Sequence, residues 1–221
     1  MPQRRGLVFA FSICILQPAV PAATLALFGR HIWIDHELAR DIPAWVLVGI
    51  TLSGAAAAAL LVGGILLRGG RLTLADIGWR RESPVRALLL GVLGAAASTA
   101  ALLGTVALFG GDASAGLQQM LGYSASQRVL FASVGLAFGV IEESFFRGNL
   151  QARLAERIGL PAAYVVTAAF YALWHFPLFR VDSMIARVGQ GLVYGALRGR
   201  DRPLATAVLA HALCWAFVGL Y

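Results

Sequence analysis

Hydrophobic positions in this chain come in long unbroken runs, without the alternation that a β-barrel strand or half-buried strand would show. Several runs reach about 20 residues, the length a helix needs to cross a bilayer core of roughly 30 Å. They predict seven spans. The first is Leu7–Phe28, kinked or broken at Pro18 and Pro21, and the second is Ala44–Leu67. Ala87–Phe109 is the third. The fourth helix runs from Arg128 to Arg157, with only its first part in the membrane. Pro161–Phe179, Met184–Leu197 (short for a full crossing) and Leu204–Leu220 complete the set. The expected fold class is all-α: a polytopic transmembrane helix bundle of about seven spans, six to eight. Gly70–Ser83 reads as an amphipathic cytoplasmic connector. Gly110–Gln127 reads as an outer loop with a short interfacial helix.

Composition agrees with the pattern. Of 221 residues, 59% are hydrophobic and only 13% charged, against about 25% charged in soluble domains. The length fits one membrane domain over 1–221, with N-terminal helices and connectors over 1–125. The formal charge of +7 comes from 18 basic residues, all arginine, against 11 acidic ones. In a soluble protein that balance would suggest nucleic acid. Here the arginines cluster between alternate apolar runs, the positive-inside pattern of an N-in membrane protein, so no nucleic-acid partner is expected. Arg180 to Arg187, read as a loop, departs from this alternation. Arg4 and Arg5 precede the first run as in a signal peptide, but a retained first helix is expected because no convincing small-residue cleavage site follows. Two cysteines, Cys14 and Cys214, both within apolar runs, exclude a disulfide framework or CxxC metal site.

Ionisable groups inside membrane segments are expensive and mark function by default. The fourth helix carries adjacent Glu142 and Glu143. Arg147 lies four residues after Glu143 on the same face, so those two can pair. Glu142 is then left unpaired and shielded from bulk water, a setting suited to a general base. Glu142 and His175 are equidistant from position 158.5. A turn near Gly159 would place them face to face, on the order of 25 Å from the turn. Part of that depth is a polar extension, Gly148–Arg157, expected to protrude into the cytoplasm. His211 is a third intramembrane polar group, with Trp215 one turn later. Two chemistries fit. Glu142 and His175 activate a water while His211 donates to an oxyanion, or two His and one Glu bind zinc. No HExxH motif supports the metal, and no cofactor is otherwise expected.

At these residues the chain resembles the CPBP family, the CAAX-protease and bacteriocin-processing (Abi) membrane proteins, whose motifs are EExxxR, FxxxH and HxxxN. Glu142, Glu143 and Arg147 match the first. Tyr171-Ala-Leu-Trp-His175 matches the second with Tyr for Phe. His211 opens the third, with Trp215 in place of Asn. Gly191-Leu-Val-Tyr-Gly195 is similar to a further family segment, and the resemblance spans about 128–217. It implies a CPBP-like catalytic core over 126–221 and a glutamate-type intramembrane endopeptidase. Glu142 would be general base, aided by His175, and His211 would help form the oxyanion hole. Glu143, Arg147, Tyr171 and Trp215 would support them. The implied partners are the lipid bilayer and a membrane-anchored peptide or protein substrate. The implied location is the cell's inner (plasma) membrane, with the N-terminus cytoplasmic. The alternatives are a non-catalytic immunity or scaffold protein of this type, or a proton-coupled transporter using the same residues as a relay.

Overall fold

The computed structural model describes residues 72–175, 181–199 and 202–219, with isolated positions between 49 and 64. The first expected span, nearly all of the second and Cys14 lie outside the described residues. Those residues form six helices and no strand. Helix α1, Pro84–Leu108, starts on a proline, whose missing N–H costs nothing in a first turn. Its buried residues are mostly small: Ala87, Gly91, Gly94, Ala95 and Ser98, with Leu102. Its bulky ones, Val85, Leu88, Leu89, Val92 and Leu93, are exposed. That is the reverse of a water-soluble helix. Small residues let backbones approach in a bilayer, and Gly91 and Gly94 abut Leu209 and Ala210 of the last helix.

Helix α2, Ala113–Leu121, lies in the Gly110–Gln127 segment, where a short helix is expected. Asp112 caps it, accepting from the N–H groups of Ser114 and Ala115. The Ser114 hydroxyl, with those N–H groups, holds the Asp112 carboxyl below the usual carboxylate range. Helix α3, Ala125–Ile158, opens on a capping box of Ser124 and Gln127. It is α-helical to Glu143, widens to a π-helix over Ser144–Gln151, and is α-helical again over Ala152–Ile158. All eight π residues are buried. This corrects the expected cytoplasmic protrusion of Gly148–Arg157. Gly148 through Gln151 lie inside the protein, because helical carbonyls replace water as partners: the Gln151 amide donates to the carbonyls of Gly195 and Gly199. Only the stretch from Ala152 onward approaches the surface.

Gly159, at φ +81°, makes the turn into α4, Leu160–Trp174. Helix α5 is Val181–Arg198 and α6 is Ala205–Val218. The last helix packs on α3 and α1, and α5 packs on α1 and α4. Two of these helices, α1 and α3, are long and apolar enough to cross a membrane. The expected fifth and seventh spans are apolar but have 15 and 14 residues. Seven full spans are therefore not seen among the described residues. Arg187 is not a loop charge either. It lies within α5, is buried, and donates to Gln190. It thus drops out of the loop-charge comparison that it had disturbed.

The connector also does more than link two helices. Ile77 is fully buried. The Trp79 indole donates to the Ser144 hydroxyl at 2.9 Å, and the Gly78 carbonyl accepts from the Leu204 N–H at 2.8 Å. The Ile77 carbonyl oxygen rests directly on Gly148, where a Cβ would overlap it. Gly148→Ala is therefore expected to destabilise the protein by about 1–3 kcal/mol through overpacking. An unhindered helical Gly→Ala change would instead stabilise by about 1 kcal/mol. A detergent unfolding midpoint at or above the parent's would contradict the contact.

Candidate active site

Four helices bring the polar groups together. Helix α3 supplies Glu142, Glu143 and Arg147. His175 follows the last residue of α4, Tyr194 comes from α5, and His211 and Trp215 come from α6. Glu142, Glu143, Arg147, His175 and His211 are each at most 4% exposed. Burying so many ionisable groups is costly unless each finds a partner.

Most do. Arg147 Nη1 donates to Glu143 Oε1 at 3.3 Å, and Arg147 Nε lies 3.3 Å from Glu143 Oε2. Nη2 donates to the Gly191 carbonyl at 2.9 Å. The guanidinium sits over the Tyr171 ring, 4.4 Å from its centroid, and 5.4 Å from that of Tyr194. Glu143 is thus Arg147's partner, and it has a second one that sequence reasoning missed. His211 Nδ1 lies 3.1 Å from the Glu143 Oε1 atom that Arg147 also engages.

Glu142 is different. Its Oε2 has no hydrogen-bond partner among the described residues. It lies 3.7 Å from His175 Nε2 and 4.0 Å from His211 Nε2. The turn at Gly159 does bring residues 142 and 175 opposite one another. His175 Nδ1 bonds the Tyr171 carbonyl oxygen at 2.7 Å, so this pair is joined through the main chain and not through the tyrosine hydroxyl. The two rings also meet edge to face, with centroids 4.6 Å apart.

Trp215 donates its indole N–H to His211 Nε2 at 3.0 Å and stacks on Phe138. Space for this comes from α3. Gly135 lies directly beneath Trp215, and a Cβ on Gly139 would come within 3.3 Å of His211 Cβ. Tyr194 stacks on His211 with centroids 5.1 Å apart and planes 10° from parallel. Its place in the Gly191–Gly195 segment was the available signal. Among the described residues no group of three or more His, Cys, Asp and Glu side chains could hold a metal ion. Chemically, the cluster sets a carboxylate oxygen beside the Nε2 atoms of His175 and His211, the latter already accepting from Trp215, and a carboxylate beside an imidazole is a set able to take protons from a small molecule held there.

Comparison with known proteins adds the family. The model of the type II CAAX prenyl endopeptidase Rce1-like family matches residues 124–217. No curated protein and no solved structure gave a significant match. The matched stretch begins at the cap of α3, ends within α6 and contains every residue of the buried cluster. Residues 124–217 of this chain are thus similar to the type II CAAX prenyl endopeptidase Rce1-like family, the type of protein that its motifs resemble.

Proposed function

We propose that this membrane protein is an intramembrane endopeptidase. It hydrolyses a peptide bond near the membrane end of a membrane-anchored peptide or protein. The observation that supports this reading is the buried Glu142 Oε2, which has no hydrogen bond among the described residues and faces the Nε2 atoms of His175 and His211 at 3.7 and 4.0 Å. The nearby cation Arg147 bonds Glu143 instead. Because a carbonyl only accepts, the bond from His175 to Tyr171 places the proton on Nδ1 and makes Nε2 an acceptor. Two acceptors side by side take both hydrogens of one water and turn its lone pairs outward, toward a scissile carbonyl. The water passes a proton to Glu142 as its oxygen attacks, and that proton then goes to the leaving amine. His211 stabilises the oxyanion. Glu143 and Arg147 fix the helix frame around these groups.

The family description supports prenylated C-terminal tails as one substrate class. Other membrane-anchored peptides and sorting tails share the same chemistry. The setting is the plasma membrane, with the N-terminus cytoplasmic and no cofactor. The test is the intact protein in liposomes with a farnesylated CAAX peptide and an unprenylated membrane-anchored peptide, with products read by mass spectrometry. Release of a C-terminal fragment that is lost in His175→Ala is expected. Cleavage that persists in that variant would sink the two-acceptor mechanism. Absence of cleavage of either peptide, with a folded protein, would favour the scaffold reading. Proton flux without cleavage would favour a transporter.

A further inference from the structure

We infer that Trp215 is a positioning residue that latches His211 in a single neutral tautomer, with the proton on Nδ1 and a filled acceptor at Nε2. The inference rests on the endopeptidase reading for its purpose but not for its geometry. An ionised carboxylate only accepts, so the 3.1 Å contact with Glu143 Oε1 requires a proton on His211 Nδ1. An indole N–H only donates, so the 3.0 Å bond from Trp215 Nε1 requires a lone pair on His211 Nε2. The two bonds dictate the same tautomer, and no other state of a neutral imidazole satisfies both. The remaining neighbours do not compete. Tyr194 lies flat on the ring and Tyr171 meets it edge to face, while Glu142 Oε2 is 4.0 Å from Nε2. Of the charged side chains around the cluster, Arg147 bonds Glu143 and the Gly191 carbonyl, and Arg187 donates to Gln190.

This has a mechanistic consequence. A His211 of this form cannot donate from Nε2, so the resting enzyme holds two groups suited to an oxyanion occupying each other. The latch opens when Nε2 takes up a proton. The source is the proton that the attacking water gives to Glu142: it moves from Glu142 Oε2 to His211 Nε2, the indole bond breaks, and Glu142 is a carboxylate again. The new imidazole N–H is then free to donate to the oxyanion as it forms. Later the Nε2 proton goes to the leaving amine and the latch closes. Because Trp215 sits four residues after His211 on one helix face, the pair is aligned by the helix itself. The indole plane is held by Phe138, with its ring base over Gly135.

The test needs no substrate, so it separates failure of the latch from failure of the endopeptidase reading. The full chain is labelled with ring-¹⁵N histidine, and His211 is assigned by its loss in His211→Gln. The latch predicts a pyrrole-type Nδ1 and a hydrogen-bonded pyridine-type Nε2 for neutral His211. Replacing Trp215 by β-(3-benzothienyl)alanine keeps the bicyclic ring and removes only the N–H. The Nε2 resonance should then shift to its unbonded position while Nδ1 stays pyrrole-type. Trp215→Phe, read the same way, covers the case in which the first variant does not fold. A pyrrole-type Nε2 in the parent would overturn the inference, and so would an Nε2 signal that is unchanged in the folded variant.

Discussion

Glu142→Gln is expected to slow peptide cleavage by about 10²–10⁴-fold at neutral pH, the range that a general base contributes. Glutamine has the size and shape of glutamate but cannot accept the proton of water. The substitution breaks no hydrogen bond at Oε2 among the described residues, because that atom makes none with them. It also removes a buried charge, and an unpaired buried charge destabilises a fold. The variant should therefore keep or raise its detergent unfolding midpoint while losing turnover. Few buried substitutions separate stability from activity this cleanly. Rates on the farnesylated peptide in liposomes, together with the midpoint, check both halves. A rate within a few-fold of the parent's would remove Glu142 from the role of base.

Arg147→Met should have the opposite signature: a large loss of stability, with activity falling because the fold does. Arg147 is fully buried and bonds Glu143 and the Gly191 carbonyl. Removing one member of a buried ion pair typically costs about 3–5 kcal/mol, because the other charge is left uncompensated. His211 would still bond Glu143, but a neutral imidazole does not balance a carboxylate. Glu143→Gln combined with Arg147→Met leaves no buried charge from this pair and should recover part of the loss. Chemical unfolding in detergent measures both proteins. If Arg147→Met lies within about 1 kcal/mol of the parent, the pair does not hold the helices as described.

Much of the site was legible in the sequence because its key relations run along one helix or across one turn. Glu143 and Arg147 are four residues apart, and Glu142 and His175 are equidistant from a turn marked by Gly159. Contacts between helices distant in sequence were harder. The bond between Glu143 and His211 depends on how α3 and α6 rotate about their axes, and helices that are apolar on nearly every side carry little periodicity to set that rotation. The π segment was hidden for a different reason, since Ser144–Gln151 mixes polar and apolar residues yet is buried throughout. Polar residues misled in the other direction. Gly148–Gln151 and Arg187 read as solvent-facing because of their chemistry, yet carbonyls and side chains of the bundle satisfy them. The connector resisted reading because its buried residues, Ile77 and Gly78, are adjacent in a short run that mixes polar and apolar positions.

The pairing of Glu143 with Arg147 within a single helix also bears on how the protein is made. Helix α3 leaves the ribosome before α4, α5 and α6 exist, so none of its later partners can help it into the bilayer. A charged residue near the centre of a nascent helix costs about 2.5–3.5 kcal/mol at the translocon. Glu143 and Arg147 can neutralise each other on the way in, through a contact that needs no other helix. Of Glu142, Glu143 and Arg147, what then enters the lipid is close to one net charge, the Glu142 carboxylate that the proposed mechanism uses as its base.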